Sequence, residues 1–138
     1  MHIAVYNEEN SEIFETLVSE LRQFNMSHMD NEKSKPLSVI ATDDIGKIIA
    51  GVSGRTIYNQ LLIEILWVSE SARGSGLGTN LMLRAESEAK ARGCIAAQVD
   101  TLSFQAPKFY QKLGFEIVGK VADIPNSPER FFLVKRYS

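Results

Sequence analysis

The chain has 138 residues, 44% hydrophobic and 23% charged, with a formal net charge of −2. That suits a single globular domain over residues 1–138 and excludes a disordered or fibrous chain. The mild acidity speaks against a nucleic-acid binder, which needs a basic stripe to neutralise phosphates. One cysteine (Cys94) and two histidines (His2 and His28) offer no disulfide and no metal set.

Residues 2–6 alternate and read as a short strand. No basic leader precedes a long apolar run, and no run is long enough for a bilayer, so the expectation is a cytoplasmic protein without membrane contact. Ile13, Phe14, Leu17, Val18, Leu21 and Phe24 then share one helical face, with Asn10 or Ser11 as cap. A polar loop over residues 25–36 is closed by Pro36.

Three strands are expected next, over residues 37–41, 47–55 and 61–68, with turns at 43–46 and 59–60. The third, LLIEILWV, is the most apolar and reads as central and buried on both faces. A small-residue run leads into a helix in which Leu77, Leu81, Ala85 and Ala89 recur at spacing four. Glu86–Lys90 and Glu88–Arg92 pairs lie outside it, and Gly93 stops it. A strand over 95–101, a short helix from Pro107 to Leu113 and strands over 115–121 and 131–137 complete the order. The fold class is mixed α/β (α+β), with about six to seven strands in one twisted sheet flanked by helices.

The chemistry concentrates in Arg73-Gly74-Ser75-Gly76-Leu77-Gly78-Thr79. Glycines before a helix leave backbone N–H groups uncovered, and the helix start adds its own unpaired donors, so the run suits a phosphate or pyrophosphate. Arg73 can add a charged contact. A P-loop is excluded, because the run ends Gly78-Thr79-Asn80 without lysine, and a dinucleotide fingerprint fails at Thr79. On local grounds a simple tight turn fits as well as a phosphate cradle.

A second block, Phe109-Tyr110-Gln111-Lys112-Leu113-Gly114-Phe115, stands downstream. Together, Trp67-Val68 through Gly78 and Phe104 through Phe115 resemble the coenzyme-A-binding motif, and the motif after it, of the GNAT N-acetyltransferases. The resemblance implies a sheet that splays at a bulge, with the pantetheine arm of acetyl-coenzyme A in the gap. It would lie against the backbone of Leu66, Trp67 and Val68, with the pyrophosphate over Arg73 to Thr79. Ser103, where many members carry asparagine, Ala106 and Tyr110 would line the other side.

Tyr110 matches the family tyrosine near the acetyl sulfur, a general acid for the leaving thiolate. Donors near Val68 would polarise the carbonyl. Glu64, the one ionisable residue of the apolar strand, is the candidate base if burial raises its pKa, and solvent-facing otherwise; Asp100 is a weaker candidate. No metal is implied. The expected function is acetyl transfer from acetyl-coenzyme A to a primary amine of a small molecule or peptide, by direct attack in a ternary complex. The alternative is a non-catalytic coenzyme-A-binding sensor or interaction protein. A homodimer is open, with strand exchange at the C-terminus as one route.

Overall fold

A computed structural model of the chain describes residues 1–137. The chain divides into two compact units, the first covering Met1–Lys33 and the second beginning at Ser34.

In the first unit, helix α1 spans Ser11–Met26. The Asn10 side chain accepts from the Ile13 backbone N–H at 3.1 Å, so Asn10 rather than Ser11 caps the helix. The expected strand over residues 2–6 is absent: these residues adopt no regular structure. Alternation supplies the side-chain pattern of a strand, but a strand also needs a partner for its ladder, and none of the six strands described pairs with this segment.

The second unit begins with strands β1 (Lys35–Thr42), β2 (Ile48–Ile57) and β3 (Gln60–Val68). A short 3-10 turn (Glu70–Ala72) leads into helix α2 (Leu77–Ala91), followed by β4 (Ala96–Leu102), α3 (Pro107–Lys112), β5 (Glu116–Val121) and β6 (Arg130–Arg136). The six strands form one sheet in the order β1-β2-β3-β4-β6-β5. Only β3 and β4, joined through α2, run parallel. The mixed α/β expectation therefore holds.

The β1–β2 turn is fixed by Asp43, whose Oδ1 accepts from the backbone N–H groups of Ile45 at 3.0 Å and Lys47 at 2.9 Å. The next turn uses Tyr58 and Asn59, both left-handed at φ 53° and 61°. It sits one residue earlier than expected because Gln60 already pairs with Ile57.

One face of the sheet carries Leu37, Val52, Leu61, Ile63, Val99 and Leu133, packed with Leu81, Met82 and Ala85 of α2 and with Tyr110 and Phe115. The expectation that β3 is buried on both faces is corrected. Leu61 and Ile63 are buried, whereas Glu64, Ile65 and Trp67 are exposed. The run is apolar throughout, but both helices of this unit that join the core join it from one side.

Glu86 is also corrected: it is buried and does not pair with Lys90. Lys135 Nζ donates to it at 3.1 Å and the Tyr137 hydroxyl at 3.5 Å. Burial first, and then the Glu86 charge, push the Tyr137 hydroxyl well above the ordinary phenol range. The Glu88–Arg92 pair is present at 3.7 Å.

The feature that shapes the site is a register shift between β2 and β3. Ser53 pairs with Ile65 and Gly54 with Ile63, leaving Glu64 as the extra residue of a bulge. Gly54 lies so close to β3 that a Cβ built on it would stand 2.1 Å from the Leu62 carbonyl oxygen. Gly54→Ala is therefore expected to cost about 1–3 kcal/mol or more, since backbone on both sides must move. Leu133→Ala, removing a side chain 1% exposed, is expected to cost about 2–5 kcal/mol as a cavity. Urea denaturation of the two variants measures both.

Candidate active site

Parallel strands stay together only while their ladder continues. β3 and β4 pair at Gln60–Ala96, Leu61–Ala97 and Leu62–Gln98, and then the ladder ends at the bulge. Beyond it the strands part. Between them lies a cavity of about 620 Å³ lined by Glu64 to Val68 of β3, Val99 to Thr101 of β4, Phe104 to Ala106, and Phe109 and Tyr110 of α3, with Arg73 and Gly78 at one end. That volume suits an elongated small-molecule ligand.

At that end the chain turns into α2. Gly76 occupies the cap position at φ 82°, a left-handed conformation that other residues resist, and no side chain caps the helix. The donors at the start of a helix have no intrahelical partner, so a fifteen-residue helix here presents uncapped N–H groups and the positive end of its dipole. Arg73 Nε donates to the Val68 carbonyl at 3.0 Å, tying the loop to the end of β3. Ser75 Oγ donates to the Ala72 carbonyl at 2.6 Å, tightening the same turn. A Cβ on Gly78 would rest in ordinary contact with Phe109 and Val68, so the first turn of α2 packs against both walls.

Tyr110 is 5% exposed and sits edge-on to Phe109 and Phe115, at centroid distances of 5.2 and 5.6 Å. Burial, and then the Asp100 carboxylate, push its hydroxyl up to about 12. Asp100 pairs with Arg130, and Glu64 lies 3.8 Å from Arg55. Glu64 keeps 59% of its side chain exposed, so the burial on which its reading as a base rested is absent. As the extra residue of the bulge it is turned out of the core.

Of the residues expected from sequence, Glu64, Leu66, Trp67, Val68, Arg73, Gly78, Ala106 and Tyr110 line the cavity. Gly74, Ser75, Gly76, Leu77 and Thr79 form the turn and helix start beside it without lining it. Ser103 stands apart, its N–H donating to the Glu129 carbonyl at 2.8 Å. Sequence reasoning missed Ile65, Val99, Thr101, Phe104, Gln105 and Phe109 as lining residues. Gln105 has a legible signal, standing just before the α3 cap. Its Oε1 accepts from the Leu102 N–H at 2.8 Å and the Thr101 hydroxyl at 3.2 Å, which fixes the loop from β4 into α3. Among the described residues no group of three or more His, Cys, Asp or Glu side chains could hold a metal, and no helix is long and apolar enough to cross a membrane.

Comparison with known proteins agrees with this architecture. Residues 3–115 match the model of the acetyltransferase (GNAT) family. The blasticidin-S acetyltransferase of Streptomyces morookaense is 39% identical over 107 residues, 75% of this chain and 79% of that protein. An acetyltransferase structure from Agrobacterium tumefaciens superimposes with a TM-score of 0.92 at 26% identity, covering 99% of this chain and 100% of the other. A streptothricin acetyltransferase from Bacillus anthracis, solved with acetyl coenzyme A, gives a TM-score of 0.66 at 25% identity, covering 77% and 65%.

A Tyr110 hydroxyl raised to about 12 binds its proton more tightly in the folded state than in the unfolded chain, where phenols titrate near ~10. Its contribution to stability is therefore complete below about pH 10 and is lost as pH rises to about 12. The phenolate absorbance that disappears in Tyr110→Phe is expected to titrate near the upper value, and Asp100→Asn to move that midpoint down.

Proposed function

Because the chain belongs to the acetyltransferase (GNAT) family, we propose that it transfers an acetyl group from acetyl-coenzyme A to a primary amine of a small molecule, by direct attack in a ternary complex. The observation that carries this reading is the cavity opened where β3 and β4 part, with Tyr110 on its wall and the uncapped start of α2 at its end.

The residues present fit acetyl-coenzyme A. Beyond Leu62 the β3 backbone no longer bonds to β4, so the polar groups on that edge, apart from the Val68 carbonyl held by Arg73, can pair with the amide-bearing pantetheine arm like an added strand. The start of α2 supplies N–H donors and dipole for the pyrophosphate, and Arg73 adds a positive charge beside it. The B. anthracis relative, solved with this ligand, supports the assignment. When bound, acetyl-coenzyme A supplies a thioester whose carbonyl carbon accepts the amine as the sulfur departs.

Tyr110 holds its proton throughout the neutral range. Tyr110, on the cavity wall and protonated, is placed to offer that proton to the departing sulfur, as a hydrogen bond or as the general acid. Glu64 and Asp100 place two carboxylates on the cavity wall, each paired with an arginine (Arg55 and Arg130), and a cationic amine would have to compete with those partners for them. The S. morookaense relative is named for blasticidin S, which makes that compound the first acceptor to test.

Acetyl-coenzyme A at about one hundred times its dissociation constant should stabilise the fold by roughly 2.7 kcal/mol, while ATP and NAD should not. Absence of a thermal shift with acetyl-coenzyme A would sink the reading. With a turned-over amine, Tyr110→Phe should lower kcat about 10- to 100-fold, the worth of one hydrogen bond to a charged group. An unchanged kcat would leave Tyr110 as a packing residue only.

A further inference from the structure

Where β4 ends at Leu102, the cavity wall facing β3 passes into a loop that carries Phe104, Gln105 and Ala106 along the cavity. The orientation of the Gln105 amide is set by its neighbours. Its Oε1 accepts from the Leu102 backbone N–H at 2.8 Å and from the Thr101 hydroxyl at 3.2 Å. Turning the amide over would set its NH2 group against the Leu102 N–H, donor against donor, so the oxygen is the atom held by the loop. The Thr101 hydroxyl, on a residue 4% exposed, also accepts from the Ala106 N–H at 3.4 Å, which braces the same clamp. Among the described residues nothing accepts from the Gln105 Nε2, the end of the amide left to meet a ligand.

We propose that Gln105 Nε2 donates to an amide carbonyl of the pantetheine arm, on the side of the arm turned away from β3; this rests on the reading of the cavity as an acetyl-coenzyme A site. An extended chain paired along one edge directs its alternate polar groups to the other side, and a carbonyl enclosed there without a donor is costly. Of the side chains lining that wall, Thr101, Gln105 and Tyr110 have a hydrogen to give. The Thr101 hydroxyl gives its own to Gln105, and Tyr110 is placed for the departing sulfur. Gln105 remains. Because its oxygen is clamped before any ligand arrives, its NH2 group is oriented in advance and little side-chain freedom is lost on binding.

Isothermal titration of the full chain with acetyl-coenzyme A and with free coenzyme A tests this in the parent, Gln105→Glu and Gln105→Met. Glutamate keeps an oxygen for Leu102 and Thr101 but has no donor. Methionine keeps the length without charge and has neither group. Both variants are expected to weaken both ligands about 3- to 10-fold, the worth of one neutral hydrogen bond, because the arm is common to the two ligands. Raised salt should leave the loss in Gln105→Glu in place. Unaltered binding in both variants overturns the proposal. A loss in Gln105→Met alone also overturns it, since the clamp on the loop is then what matters. So does a loss in Gln105→Glu that salt abolishes, which is charge repulsion, and so does a loss confined to acetyl-coenzyme A, which puts the donor at the acetyl group. A parent chain that binds neither ligand overturns the proposed function itself, and this assignment with it.

Discussion

The site depends on one close approach of backbone to backbone. Gly54 lies against the Leu62 carbonyl, where any larger residue would collide, and the pairing of β2 with β3 slips there by one residue. A bulge bends and twists the strand that carries it. β3 consequently loses its ladder to β4 at the same level, after Leu62–Gln98. Parallel neighbours that diverge midway leave unpaired backbone on both inner edges, which in a core would be a heavy cost. Here the divergence opens onto a cavity that a ligand with amide groups can fill.

α2 links this opening to the rest of the unit. Its first turn packs Gly78 against Val68 and Phe109, on both walls of the cavity. Near its far end Glu86 is buried and held by Lys135 and Tyr137, beyond the core residues of β6. A buried carboxylate is tolerable only with its partners in place, and removing one partner leaves an uncompensated charge. The pair is therefore weak evidence of added stability, but it constrains how α2 sits against β6. The surface pairs Arg55–Glu64 and Asp100–Arg130 are more exposed, and screening makes them minor for stability. Each sets a carboxylate on the cavity wall with its charge balanced by an arginine.

The element order was legible because it rests on local signals. Apolar spacing marked α1 and α2, Pro107 opened α3, and turn residues separated the strands. The glycine run and the Phe-Tyr helix were legible as motifs, and the structure brings Arg73, Gly78 and Tyr110 to one cavity. What was not legible is pairing. Residues 2–6 alternate like a strand, yet alternation cannot say whether a neighbour exists. Glu64 looked buried because its run is apolar, but a register slip set by Gly54 across the sheet turned it out. Glu86 looked like half of a surface pair because Lys90 follows at spacing four, while its true partners lie 49 and 51 residues away. Phe104 and Phe109 became lining residues only through the parting of β3 and β4, which no local pattern encodes.

Tyr110 shows why the packing and catalytic readings of one residue need not compete. It is a core residue by every structural measure, buried between Phe109 and Phe115. The same burial disfavours the phenolate, and Asp100 adds to that by its charge. Both effects hold the proton on the hydroxyl in the neutral range. A donor of that kind is most useful where water is excluded and its geometry is fixed, and packing supplies both. Under the proposed function, the aromatic contacts that make Tyr110 look merely structural would also hold its hydroxyl in place for a sulfur that gains charge.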